Sequence, residues 1–531
     1  MKSIKSALKI LSLLLVVALL ATMVTLPVMA EGETEADEVE YAKEMLRIYG
    51  DSFTEYIPLD AYGSVQNKKE SNIIINWESS DEGVVSTSGK VYPAVGEEKN
   101  VILTATLTNT KTGKTATKEF SVTIPAVAEY VIEGVKLAGD DGIIDTQLVA
   151  GKKIEKVSVK HYGDAQEDIT IVTALYDENK KLTDVKTEVV MPQIPSQSHG
   201  DITLTNPLTL PGDVTGHSAK VMLLNRKDEK NFLCASYTVN SLSDNITVYI
   251  VGDSLAADYP EERHPLGGWG SYIDDYIDGI TVDNIAESGM SSKSFIAGEE
   301  KLPYLESNLK EGDYIFFMFG HNDQKVVSLK TSIGGSEEPK FLNRHTGIGS
   351  YGILDGDTLS YFGYISEIVK VARKKKANIV LFTQFNRAQR DTANLNGYPD
   401  ALKVFANEQN IPVIDTTTLS LNLYNRLYDE GEKLGINADS FAKNIFMFLT
   451  EKDPRYDWTA YPDSEYITGK SDATHFNLFG ASVRAKLAVL GLVGANNALA
   501  RFENVTEADF NALCESVIAD ILATEYYGKA N

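Results

Sequence analysis

From residue 246 onward, near-continuous apolar runs at 246–251, 281–285, 314–319, 379–383 and 411–415 alternate with helical periods such as 361–375 and 398–409. A strand with one wet face alternates polar and apolar residues; an unbroken apolar run is a strand buried on both faces. Five such runs joined by helical crossovers leave little choice. The spacing predicts a three-layer α/β domain over 245–531, with a parallel sheet covered by helices on both sides. In such sheets the reactive groups stand at the carboxyl ends of the strands.

Upstream the rhythm is different. Between about residues 39 and 125, short β runs at 73–76, 101–107 and 120–124 are separated by the turns Ser79-Ser80-Asp81 and Ser88-Gly89-Lys90. That spacing predicts a β-sandwich over 31–126, with Trp77 in its core rather than as a sugar-stacking platform. The pattern resembles the bacterial Ig-like modules of exported polysaccharide-active proteins. Further runs at 156–160, 169–176 and 219–224, with a hairpin turn at Asp177-Glu178-Asn179-Lys180, predict a second sandwich over 127–244, fibronectin type III-like or carbohydrate-module-like. The acidic loop Asp140-Asp141-Gly142-Ile143-Ile144-Asp145 lacks the spacing of a calcium loop and reads as a solvated turn.

The first thirty residues stand apart from the fold. Lys2, Lys5 and Lys9 precede an apolar run over 10–28, and Ala30 closes a Val28-Met29-Ala30 site. This is the layout of a secretory signal cleaved near Ala30, and it predicts a secreted, extracellular protein with no membrane attachment after cleavage. The formal charge of the whole chain is −25, from 50 basic and 75 acidic residues, and loss of the three signal lysines takes it to −28. The excess divides evenly about residue 245, so it belongs to the whole surface and argues against nucleic acid as a partner. Cys234 and Cys514 are the only cysteines and read as small buried hydrophobes. No His, Cys and carboxylate spacing suggests a metal site, and no cofactor is expected. The oligomeric state is left open.

The ends of the apolar runs carry the chemistry. The first leads into Gly252-Asp253-Ser254-Leu255, the second into Ala286-Glu287-Ser288-Gly289-Met290, and the third into Gly320-His321-Asn322-Asp323; Asp472-Ala473-Thr474-His475 stands near the C-terminus. Four blocks in this order resemble the SGNH (GDSL-type) hydrolases, whose domain is flavodoxin-like. The Gly268-Trp269-Gly270 and Ser291-Ser292-Lys293-Ser294-Phe295 segments are similar to the rhamnogalacturonan acetylesterase-like carbohydrate esterases. Met290 departs from that subgroup, which usually has a basic residue there, and the 324–359 stretch is longer than usual.

The resemblance implies Ser254 as nucleophile, His475 as general base and acid, and Asp472, three residues earlier on the same loop, as the group orienting the imidazole. It assigns the oxyanion donors to the N–H groups of Ser254 and Gly289 and the side-chain amide of Asn322. The chemistry of these residue types agrees. A serine at a strand-to-helix turn exposes its hydroxyl at the sheet edge with its N–H at a helix start. Histidine suits a proton taken and returned, glycine lets the backbone approach substrate closely, and an asparagine amide donates without titrating. Asp253 and His321 read as supports for these loops. Trp269, Lys293, Lys325 and Arg387 are candidate substrate contacts, with Arg390 and Trp458 as further groove residues; Arg373-Lys374-Lys375-Lys376 reads as a solvated helix end.

The expected activity is therefore removal of O-acetyl groups from a plant cell-wall polysaccharide, rhamnogalacturonan first. An acetylxylan or lipase-like esterase is the alternative within the superfamily, and a non-catalytic polysaccharide-binding or adhesion protein is the alternative outside it. A polyanionic pectin backbone meeting a chain of charge −28 requires local cations, such as Lys293, Lys325, Arg387 or Arg390, near Ser254.

Overall fold

The computed structural model describes residues 37–63, 71–164, 166–243, 245–298, 300–324, 328–330, 339–341, 360–435, 437–442, 446–448, 471–503, 505, 507 and 509–523. The signal-like segment, Lys325 and Trp458 lie outside these residues.

Within 37–126 the described residues form one three-stranded antiparallel sheet, Ile73–Ser79, Lys99–Asn109 and Thr115–Ile124. A short helix, Asp37–Met45, backs it, placing Val39 and Ala42 in the apolar core that the sheet residues Ile73, Leu103 and Leu107 also line. Where a sandwich is expected, the apolar core among the described residues is completed by the helix and by segments around Tyr56 and Val85 that carry the isolated bridges Tyr56–Lys90 and Val85–Val91. Trp77 is in the core as expected, 5.6 Å from the Phe120 ring.

Between residues 130 and 240, a three-stranded sheet (Tyr130–Ala138, Lys153–His161, Ser198–Thr209) and a four-stranded one (Ile169–Tyr176, Leu182–Val190, Ser218–Asn225, Tyr237–Asn240) share a single apolar core. The Asp140–Asp145 loop holds a protein cation: Lys152 Nζ lies 2.9 Å from Asp141 and 2.6 Å from Asp145.

The third unit matches the expected rhythm closely. We label its strands β1 (Ile246–Gly252), β2 (Leu266–Gly267), β3 (Ile280–Asn284), β4 (Tyr314–Met318), β5 (Asn378–Phe382), β6 (Val413–Ile414), β7 (Phe446–Phe448) and β8 (Ser471–Asn477). Its helices are α1 (Ser292–Ala297), α2 (Lys301–Asn308), α3 (Ser360–Lys375), α4 (Tyr398–Glu408), α5 (Thr416–Lys433), α6 (Leu478–Gly494) and α7 (Phe510–Ala523). The main sheet runs β3-β1-β4-β5-β6, parallel throughout.

Alternate residues explain the apolar runs. Val248, Ile250, Phe316, Met318, Val380 and Phe382 meet α5, α6 and α7, while Tyr249, Val251, Ile315, Phe317 and Leu381 meet α1 to α4. Each fully buried side chain of this size contributes about 1.5–3 kcal/mol of transfer free energy. The order reverses direction between β1 and β4, and at such a switch point the loops diverge and leave a crevice.

Candidate active site

Ser254 stands two residues beyond β1 at that switch point. Asp253 shapes the turn: its carbonyl accepts from the N–H groups of Ala256 and Ala257, and its Oδ1 accepts from Leu255 N–H at 2.9 Å. Tyr259 O–H donates to the Ser254 carbonyl at 2.6 Å. His475 Nε2 lies 2.9 Å from Ser254 Oγ, across 221 residues of sequence. This is the hydrogen bond that a base needs to take the hydroxyl proton.

His475 is held by a strand rather than a loop, which corrects the sequence expectation. β8 pairs antiparallel with β2, Leu266 opposite Asn477, and with β7. Its polar sequence shows no alternation, and its partners are far away in the chain, so local pattern does not reveal it. Phe476 anchors the strand against Phe385 (5.9 Å) and beneath the buried Arg484 guanidinium (3.9 Å). Asn477 then caps α6, accepting from Gly480 N–H at 2.7 Å. Asp472 lies in the same strand, but its side chain is outside the described residues.

The β3 and β4 loops are tied together. Gly289 has φ +81°, the left-handed conformation that glycine adopts without strain, in the turn closed by Met290 N–H to Glu287 O. Asn322 Nδ2 donates to the Met290 carbonyl at 2.8 Å, and Ser291 caps α1 in a reciprocal capping box with Ser294. His321 Nε2 donates to the Phe385 carbonyl at 3.0 Å. A Cβ on Gly320, at φ +149°, would lie 1.9 Å from Gln384 Oε1, so only glycine passes there. Asp323, missed as a site residue, is fully buried and accepts from both the N–H and the O–H of Ser292.

Burial, with the nearby Asp253 carboxylate adding to it, pushes the Asp323 pKa up to about 7 against the opposing Ser292 donations. Its Oδ2 has no hydrogen-bond partner among the described residues, as suits a protonated carboxyl. In the unfolded chain this group loses its proton near pH 3.9. Between that pH and about 7 the native state holds a proton that the unfolded state has lost, so stability falls as pH rises. Asp323→Asn keeps an acceptor for Ser292 and removes the titration. Its Tm relative to wild type should rise between pH 4 and about pH 7 and level off above that; a constant Tm difference across that range would refute the linkage.

Two candidate substrate contacts are corrected. Trp269 is fully buried, 5.6 Å from Phe382 and 6.2 Å from Phe385, because the turn after β2 folds inward onto β5. Lys293 is also buried, its ammonium bonded to Asp60 of the N-terminal unit. Arg390 pairs with Asp429 and Glu432 on the exposed side of α5. Arg387 is placed beside the Asn322 loop, its Nη2 2.6 Å from the Gln324 amide oxygen when that amide is turned to accept. Of the basic run 373–376, Lys374 pairs with exposed Glu306 as expected of a solvated end, whereas Arg373 is tied to Glu133 of the second unit. Sequence reading also missed a cavity of about 240 Å³ beside β2 and β8, lined by Asp258, Tyr259, His264, Tyr272 and Leu478 among others. The sole local signal for it is the density of aromatic and polar residues after Ser254.

Residues 250–436 match the GDSL-like lipase/acylhydrolase family, and residues 56–127 match the atrophied bacterial Ig domain. A rhamnogalacturonan acetylesterase of Bacillus subtilis is 32% identical over 254 residues, which span 46% of this chain and 89% of that protein. A second Bacillus subtilis protein, named a probable rhamnogalacturonan acetylesterase, is 27% identical over 46% of this chain and 91% of its own length. A rhamnogalacturonan acetylesterase of Emericella nidulans is 28% identical over 26% of this chain and 52% of its own. The chain therefore belongs to the GDSL-like lipase/acylhydrolase family and is a carboxylic ester hydrolase with an Ig-like domain at its N-terminal side. Among the described residues no helix is long and apolar enough to cross a membrane.

Proposed function

We propose that this protein is a secreted serine esterase that removes O-acetyl groups from a plant cell-wall polysaccharide, with rhamnogalacturonan the first substrate. The observation that carries the reading is the 2.9 Å contact between His475 Nε2 and Ser254 Oγ at the switch point of the sheet. Ser254 Oγ attacks the acetyl carbonyl as His475 takes its proton. The N–H groups of Ser254 and Gly289 and the Asn322 amide receive the developing oxyanion. His475 returns the proton to the leaving sugar hydroxyl, and water, activated the same way, releases acetate. Asp472 is assigned to orient the imidazole. The cavity beside Tyr259 and Tyr272 offers aromatic and polar surface of the kind a saccharide ring uses. The N-terminal unit is read as an Ig-like module, the unit over 127–244 as a sandwich-type module, and the segment over 1–30 as the export signal.

One observation favours a second substrate reading. Two of the cations expected to meet a polyanionic backbone, Lys293 and Arg390, are instead committed to carboxylates of this strongly acidic protein. A neutral acetylated polymer such as acetylxylan avoids that field. Acetate release by the mature protein should be at least about tenfold faster on acetylated rhamnogalacturonan than on acetylated xylan, a difference of ~1.4 kcal/mol in transition-state binding. The reverse ranking would replace the pectin reading with the neutral polymer.

A further inference from the structure

We infer that Asp60, carried by the N-terminal Ig-like unit, is a positioning residue for the esterase site: it anchors Lys293 and so fixes α1 and the Gly289–Ser292 turn that leads into it. The inference rests on the assignment of Gly289 and Asn322 as oxyanion donors.

Asp60 is 3% exposed and Lys293 4%, although they belong to different units and stand 233 residues apart. Both carboxylate oxygens are engaged, Oδ2 by the Lys293 ammonium and Oδ1 by the Tyr364 hydroxyl at 2.7 Å. The Asp60 backbone is fixed to the Ig-like sheet, its carbonyl accepting from Trp77 Nε1 at 2.9 Å and that of Ala61 from Ile75 N–H at 2.9 Å. Just before it, the chain lies flat on α3: a Cβ on Gly363 would come within 2.4 Å of Pro58. Tyr56 packs against Phe362 at 5.4 Å and donates to Glu408 at 2.5 Å. The Ig-like unit is thus seated in the hydrolase layer, and Asp60 is its innermost charge.

Burying an ion pair is a poor way to gain stability, because desolvating both charges offsets most of their attraction; what such a pair secures is geometry. Here the geometry is that of the oxyanion turn. Lys293 immediately follows Ser292, whose N–H and O–H bind Asp323, the neighbour of Asn322; Asn322 in turn holds the Met290 carbonyl, next to Gly289. The turn therefore has two clamps, one from the β4 loop and one from the Ig-like unit. Without the Asp60–Lys293 pair the second clamp is gone, and α1 shifts from the place where the Ig-like unit holds it. The shift pulls Ser292 from Asp323 and moves the Gly289 N–H off the position where the oxyanion forms, and errors of about 1 Å there cost up to about 100-fold in rate.

The test uses the full chain, with kcat and KM on an aryl acetate and the rate of fluorophosphonate labelling measured at 25 °C. Two variants are compared: Asp60→Asn, and Asp60→Leu combined with Lys293→Met, which removes both charges and leaves no buried ion if the first variant does not fold. In each folded variant kcat should fall about 10- to 100-fold with KM within about threefold, and labelling should slow in parallel. The loss should shrink in an Asn322→Ala background, since both changes act on one set of donors. A folded variant with a lowered Tm but kcat within about twofold of wild type would reduce Asp60 to a purely structural role and overturn the inference. A wild-type chain inert towards both ester and probe would overturn the esterase reading itself, and this inference with it.

Discussion

Replacing Ser254 with alanine should lower kcat on an aryl acetate by about 10⁴- to 10⁶-fold, with Tm changed by only a few degrees. In the proposed mechanism the hydroxyl forms the acyl bond, whereas its hydrogen bond with His475 contributes only about 1 kcal/mol to folding. Catalysis and stability therefore separate cleanly at this residue. A residual rate above that in water should survive in the variant, because the oxyanion donors and binding surface remain. His475→Ala should be comparably inactive, and the double variant no worse than either single change, since nucleophile and base act as one unit. A fluorophosphonate probe should label the wild-type chain at Ser254 and leave Ser254→Ala unlabelled. Retention of more than about a tenth of wild-type turnover would remove Ser254 from the nucleophile role. A wild-type chain that takes no label would favour the non-catalytic polysaccharide-binding reading.

How much of this was legible depended on whether the constraint was local. The five parallel strands were readable because burial on both faces writes itself into consecutive residues, and they placed Ser254, Gly289 and Asn322 at one sheet edge. The contact from Ser254 to His475 followed from the order of the blocks, not from any local pattern. What stayed hidden was set by distant pairings. β8 reads as a loop in sequence because its partners are β2 and β7, and its own residues carry no period. Trp269, flanked by glycines, has the look of an exposed platform until Phe382 and Phe385 are brought beneath it. Lys293 sits within a motif that adjoins the site, so its charge suggested substrate; nothing near it in sequence points to Asp60. Asp323 showed the same blindness in another form. A carboxylate after Asn322 reads as a turn residue, and full burial is what makes it a titrating clamp. The short helix Asp37–Met45 was missed because its period is brief and the strands after it dominate the pattern.

Asn322→Ala should lower kcat about 10²- to 10³-fold, equivalent to ~2.7–4 kcal/mol of transition-state stabilisation, with KM nearly unchanged. The split follows from where the donor acts. A carbonyl oxygen in the bound ester carries little charge, whereas the tetrahedral intermediate carries a full one, so a donor aimed at the oxyanion binds the second far better than the first. The same amide also donates to the Met290 carbonyl, and its loss leaves that buried acceptor short of a partner, at about 1–3 kcal/mol of stability. The two effects are separable. Asn322→Asp keeps the shape but turns the donor into an acceptor and sets a negative charge against the developing oxyanion, so its kcat should fall below that of the alanine variant even if its Tm is the higher of the two. Equal kcat for the alanine and aspartate variants would show that Asn322 only holds the Met290 turn, and the oxyanion would then rest on the Ser254 and Gly289 N–H groups. A loss expressed in KM instead would move Asn322 from the transition state to ground-state binding of the sugar.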